Sequence, residues 1–435
     1  IGDGAFKDCR GLTSVTLPDS VTNIGGSAFE GCTGLIGMTI PDSVINIGEH
    51  AFYDCGGLNN ATIGHSVTNI GDLAFYNCVS LTDITLPNSV ISIGDYTFSL
   101  CSSLTNITIP DSVTSIGDYS FSLCRSLTSV TIGNSVTSIG DGAFRGCPLT
   151  SVTIGDRVIT IGKDAFLECI GLTSVTIPDC VTSIGDGAFN GCYNLISVTI
   201  GDRVISIGDE AFRGCYNLTS LTLPDSVNSI GDGAFRGCFN LKSVTIPDSV
   251  TSIGDFAFSG CSKLGNVKIG DSVTSIGNCA FDSCEALIFV TIPDSVTSIG
   301  VEAFSNCSFL LKMFFKGNSP TLTGDPFYNA HPDLTIYFLK GTSGWEDVFA
   351  GRPTAIWHLS DHAIHMEFLT INSWGISFAI VGSPGQAVAV QACQNLAASN
   401  WQDLEVVTLD GNGMGGFTDL DWTNFASRFY RAVSN

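Results

Sequence analysis

The sequence predicts a mainly β repeat solenoid of 23-residue units that carries a small β module at its C-terminal end. Three observations predict it. Fourteen Phe-x-x-Cys pairs recur from Phe6 and Cys9 to Phe304 and Cys307. Their cysteines are 23 residues apart throughout, except for 22 between Cys147 and Cys169, where Cys147-Pro148-Leu149 is one residue shorter than Cys169-Ile170-Gly171-Leu172. Two short strand signals and one tight turn fill each interval. A period in the twenties makes each unit too small to bury its own apolar face, so neighbouring units must stack.

The unit from Leu241 to Cys261 shows the elements in order. Ser243-Val244-Thr245-Ile246 alternates at period two, which predicts a strand with Val244 and Ile246 inward and Ser243 and Thr245 outward. Pro247-Asp248 ends it. Val250 and Ile253 carry a second, shorter apolar edge, and Gly254 permits a sharp bend. Ala257-Phe258 then re-enters the core in a short helical or irregular turn, and Leu241 closes the coil.

The pattern L-x-x-V-x-I-P-x-x-V-x-x-I-G-x-x-A-F-x-x-C resembles the leucine-rich repeats of BspA-like bacterial surface proteins, the Treponema pallidum type. The match covers residues 1–307 and degenerates through Pro326-Phe327 and residues 334–338, with Ala330 near the cysteine position. This resemblance implies a curved, right-handed solenoid with a parallel sheet on its concave face. It also implies a secreted or surface-attached adhesin that binds host or neighbour-cell proteins.

A solenoid spends its length on one elongated core, here a rod of roughly 65 to 70 Å at about 4.8 Å per coil. A formal net charge of −23 argues against nucleic acid and anionic membrane surfaces as partners. No stretch approaches the roughly 20 apolar residues of a membrane helix, so no membrane insertion is expected. Of 17 cysteines, all but Cys180, Cys279 and Cys393 occupy one repeat position. Parallel in-register side chains do not point at each other as a disulfide requires, and a line of thiols does not converge as a zinc site does. The column therefore reads as reduced, buried packing beside the Phe ladder. The chain opens inside a repeat at Ile1-Gly2-Asp3, so further repeats or a cap, preceded by an export signal, are expected upstream.

The expected domains are repeats over residues 1–308, a degenerate repeat and cap over 309–357, a linker over 358–366 and a β-sandwich-like module over 367–435. Met313-Phe314-Phe315 is apolar on both faces and reads as a capping rung, with Trp345 and Trp357 covering the open core end. Alternation over residues 368–371, 375–381, 387–392, 404–409 and 429–433 predicts the strands of the module. These segments resemble a small C-terminal β-sandwich of secreted bacterial proteins, more often a surface or spacer domain than a catalytic one.

Several constellations invite a chemical reading. His358, His362 and His365, with Asp361, would share one face of a helix as a metal site needs, but no helix cap precedes them and a solvated linker is the preferred reading. Residues 411–416 match G-x-G-x-x-G without the flanking βαβ unit, which leaves a flexible hairpin loop. Asp186, Asp209, Asp232 and Asp255 form one acidic column, and Asp202, Asp225, Asp248, Asp271 and Asp294 a second. Calcium would relieve their repulsion, yet accepting backbone N–H bonds in turns suffices. The Ser and Thr ladders through Ser197 and Thr199 suit an exposed strand, and a curved repeat does not offer the flat array of an ice-binding surface.

One departure stands out. Tyr193, Tyr216 and Phe239 follow the cysteine on successive units, and Arg213 and Arg236 follow the Phe, so a protein-binding patch is expected there. A self-stacking aromatic ladder is the competing reading. The alternative surface is the polar concave face carrying Thr199, Thr222 and Thr245. No nucleophile motif is present, and no catalytic residue, metal or cofactor is expected. The leading expectation is a secreted or surface-displayed scaffold that binds extracellular or neighbour-cell proteins, and the runner-up is a spacer rod of the cell envelope. The sequence leaves the oligomeric state open.

Overall fold

The computed structural model describes residues 1–357, 365–372, 375–381, 385–394, 401–409, 414–419 and 428–434. The chain divides into two compact units, Ile1–Cys238 and Phe239–Asn435.

In the first unit each repeat is one coil with three hydrogen-bonded edges. The first is the alternating strand: Ser129–Ile132 pairs in parallel with Asn106–Ile109 and Ser151–Thr153, which sets Val130 beside Ile107 and Val152. Inward Val130 and Ile132 are buried while Thr131 is exposed, the in-and-out pattern that period-two alternation dictates. The second is a two-residue strand. Ser138–Ile139 pairs with Ser115–Ile116 on one side and Thr160–Ile161 on the other.

The third edge, over the Phe-x-x-Cys segment, is neither helical nor irregular, contrary to the sequence expectation. Tyr119, Phe121 and Leu123 donate their N–H groups to Asp141, Ala143 and Arg145 of the next coil at 2.7, 2.8 and 2.7 Å. Between them, Ser122 and Cys124 close turns onto Tyr119 and Phe121 three residues back. Positive φ then recurs every fourth residue: Tyr119 and Leu123 take it at 52° and 59°, and Gly142 and Gly146 at 57° and 69°. Glycine recurs here because it alone adopts that backbone without steric cost. The glycine after the second strand has another reason. A Cβ on Gly140 would stand 2.6 Å from the carbonyl carbon of Gly117, so close approach of successive coils excludes a side chain, and the bend itself does not require glycine.

The missing residue after Cys147 is taken up locally. Leu149 bonds to the carbonyl of Cys147 where Leu127 reaches Cys124, and its side chain still lies in the core. Inside, the phenylalanines form a continuous stack, with Phe121 and Phe144 at 5.3 Å and 4° between planes. Each buried Phe contributes about 2 to 3 kcal/mol by removal from water.

The second unit begins with coils of the same kind, Ser243–Thr245 pairing with Asn266–Lys268. It continues into longer parallel strands, Phe289–Ile292, Lys312–Phe315, Thr335–Leu339 and Arg352–Trp357. Trp345 closes their core by packing on Phe315, Phe338 and Phe349 at 4.9, 5.2 and 5.1 Å. Arg352 donates to the carbonyls of Phe327, His331 and Pro332. Trp357 does not share the capping role expected of it. It packs against Phe314 at 5.1 Å on the outward face, because Trp357 aligns with Leu339 and Phe314 with the outward Thr291.

The module that follows is two antiparallel three-stranded sheets. His365–Asn372, Gly375–Val381 and Met414–Asp419 form one, and Gln402–Thr408, Ala387–Cys393 and Phe429–Ser434 the other. Phe378, Ile380, Val388, Val390, Val407, Leu409 and Phe417 make its core. Residues 414–416, expected as loop, are strand. Residues 411–413 and most of the histidine constellation (358 and 362) lie outside the described residues, and His365 starts a strand.

Candidate binding surfaces

The inward columns leave little chemistry to perform. Cysteines of the column from Cys32 onward are buried, and Cys9 is exposed. Thiols of the column have partners that spacing could not reveal: Cys124 Sγ donates to the carbonyl of Phe98 at 3.1 Å and Cys147 to that of Phe121 at 3.0 Å. The donor points one coil back, and the next thiol repeats the arrangement. Burial pushes the Cys55 and Cys192 thiols up to about 12, which makes them poor nucleophiles and poor metal ligands at neutral pH.

The aspartate columns also serve the stack. Asp186 accepts the N–H of Asp209 at 2.9 Å, and Asp209 that of Asp232 at 2.8 Å. Asp248 accepts that of Asp271 in the same way at 2.9 Å. A carboxylate reaching one coil along satisfies a backbone donor that the stack leaves over. Among the described residues no group of three or more His, Cys, Asp or Glu could hold a metal ion. No helix among them is long and apolar enough to cross a membrane.

Tyr193 and Tyr216 stack at 4.8 Å with 9° between planes, each about 40% exposed. Arg213 lies beside them on the same edge but pairs with Glu210 at 2.8 Å. Arg236 is exposed on the first unit, and Phe239 opens the second, also exposed. The coil imposes such stacking wherever two tyrosines share a column: Tyr53 with Tyr76 and Tyr96 with Tyr119 stack at 4.9 Å as well. Their 23-residue spacing is the sequence signal for those pairs once the register is known.

Thr199, Thr222 and Thr245 are exposed on the outward side of the first strand edge, with their neighbours Val198, Leu221 and Val244 turned inward. Two clefts run along this threonine column in the first unit. One, of about 800 Å3, is lined by Thr39, Thr62, Asp42 and His65. The other, of about 540 Å3, is lined by Thr85, Thr108, Thr131, Asp111 and Asn134. Each pairs a row of hydroxyls with a row of polar turn side chains, Asp42 and His65 in the first and Asp111 and Asn134 in the second.

A family model of the BspA type leucine rich repeat region matches residues 1–128, 114–241 and 228–344. Among solved structures, a leucine-rich repeat protein from Bacteroides ovatus is 31% identical over 80% of this chain and 91% of its own, with a TM-score of 0.66. A leucine rich cell surface protein from Faecalibacterium prausnitzii is 31% identical over 71% of this chain and 88% of its own, with a TM-score of 0.46. A T. pallidum leucine rich repeat protein is 30% identical over 42% of this chain and 78% of its own, with a TM-score of 0.34. No curated protein matches the chain significantly in sequence. The repeat, its three-edged coil, the family model and the Bacteroides ovatus structure agree: the chain belongs to the BspA-type leucine-rich repeat family.

Proposed function

We propose that this leucine-rich repeat scaffold is displayed outside the cell and binds proteins through the outward threonine column, without catalysis. The observation that carries the reading is the pair of clefts along Thr39, Thr62, Thr108 and Thr131. Their hydroxyl, carboxylate and amide groups stand on a rigid ladder, so a partner's polar groups are met without the cost of ordering loops. The raised thiol pKa values and the turn-satisfying aspartates support a scaffold whose repeat columns serve packing. Family membership supports extracellular display. The exposed Tyr193 and Tyr216 with Arg213 favour a second location for binding, on the cysteine edge of the coils.

Interferometry against purified extracellular-matrix and neighbour-cell surface proteins tests both. Thr108→Arg with Thr131→Arg is expected to weaken a bound partner at least tenfold, and Tyr216→Ala with Arg213→Ala by less than threefold. The reverse result moves the site to the tyrosine edge. Binding to none of the panel favours a spacer rod of the cell envelope.

A further inference from the structure

Within the second unit the outward face departs from the repeat at three places, and two of them, Gly265 and Phe289, lie against the C-terminal module. The position after the coil-closing leucine carries Thr, Ile, Asn or Lys on preceding coils, as at Thr219 and Lys242, but Gly265 here. A Cβ on Gly265 would stand 3.5 Å from Thr418 Oγ1 of the module. One coil on, the same column holds Ile288. Ile36 and Ile196 in that column are 54% and 48% exposed, whereas Ile288 is 2% exposed.

The outward position that is Ser129, Ser197 or Ser243 elsewhere is Phe289, and it meets the module's Gly416. A Cβ on Gly416 would lie 2.7 Å from two ring carbons of Phe289, and the three nearest heavy atoms all belong to that ring. The glycine is therefore required by the contact with the coil and not by the module's own sheet. A cleft of about 360 Å3 remains between the two, lined by Asn266, Lys268, Thr291, Lys316, Thr408 and Leu409.

We infer that the C-terminal module is an internal occupant of the outward face at Gly265, Ile288 and Phe289. It keeps this apolar end of the face covered, and a partner reaches that end only when the module is displaced. Phe289 on the coil and the glycine that makes room for its ring on the module fit a built contact. As regulation of binding the inference rests on the proposed function, but the covering itself does not.

Two single variants of the full chain test it, each chosen to suit its own side. Gly416→Val puts side-chain atoms where the ring of Phe289 stands, at a strand position that suits a β-branched residue, and Gly265→Lys repeats what Lys242 does one coil earlier. Fluorescence of the apolar dye 1-anilinonaphthalene-8-sulfonate is expected to rise at least threefold in either variant, with the far-ultraviolet circular dichroism unchanged. Dye fluorescence at the wild-type level in both folded variants would overturn the inference. A rise in dye binding without any partner binding to the threonine column would leave the covering intact and remove the proposed function.

Discussion

The strand face around Thr108 and Thr131 in the first unit and the face around Phe289 and Phe314 in the second are built on the same inward lattice. Ile107 and Val130 fill the core in one, Val290 and Met313 in the other, and all four are buried. Outward, the first presents exposed threonine hydroxyls, while the second presents Phe289, Tyr337 and a cluster in which Phe314 and Trp357 are themselves buried. The ladder hydrogen bonds are backbone bonds and the inward columns are fixed by packing, so the outward columns can change without touching the fold. A difference confined to them therefore reports on what meets the face: solvent in one case, the rest of the chain in the other.

If the inward lattice carries stability, the largest effect should come from disturbing all of it at once. Burial raises the Cys55 and Cys192 thiols above the ordinary thiol range, to about 12, and pushes those of Cys78, Cys124, Cys169, Cys215 and Cys284 up as well. Their contribution is complete below about pH 9 and is lost as the pH rises toward 12, because only the unfolded state gives up the proton there. Each such thiol costs about 1.4 kcal/mol per pH unit in that window, and the losses accumulate along the column. Urea midpoints should be flat from pH 7 to 8.5 and collapse by pH 10.5. A midpoint unchanged at pH 10.5 would show that the thiols are not buried in the stack.

A single ladder member comes next. Phe212 stacks on Phe189 and Phe235 at 5.3 and 5.5 Å, and Phe212→Ala should cost about 3 to 5 kcal/mol and split the transition of the first unit. Phe314→Ala, on the outward cluster, should cost about 2 kcal/mol with the transition left whole. Equal costs in chemical denaturation would erase the distinction between the faces.

Smaller still is Cys215→Ser. A buried hydroxyl without a partner would cost about 1 to 3 kcal/mol, but the carbonyl of Phe189, 3.4 Å from the thiol, remains to accept it. A loss of about 1 kcal/mol or less in the unfolding free energy from urea titration is expected. Thr131→Val should change it by less than about 0.5 kcal/mol, since the side chain stands exposed on a strand that favours either residue.

Much of this could be read from residues alone. The 23-residue register placed every core column, the alternation gave the in-and-out sense of Val244 and Thr245, and the parallel geometry argued for an unpaired cysteine column. What stayed hidden depended on relations between coils. A residue such as Leu123 at positive φ carries no sign of it, although glycine at the equivalent Gly146 and Gly191 was a clue. The thiol donors and the carboxylates that cap the next coil are contacts across the stack, invisible within one unit. The pairing of Glu210 with Arg213 is legible from its spacing of three residues. Gly415 and Gly416 concealed a strand, since glycine normally weakens one, and only the ring of Phe289 explains the second of them.

The division of labour between faces is tested most directly by scoring every substitution over residues 106–144 twice, once for protease resistance of the displayed chain and once for binding to its partner. Inward positions such as Ile107, Phe121 and Cys124 should lose both together. Outward Asn106, Thr108, Asp111 and Thr131 should keep resistance and lose binding. Outward substitutions that leave both scores at the wild-type level would contradict the account and return the binding site to the tyrosine edge.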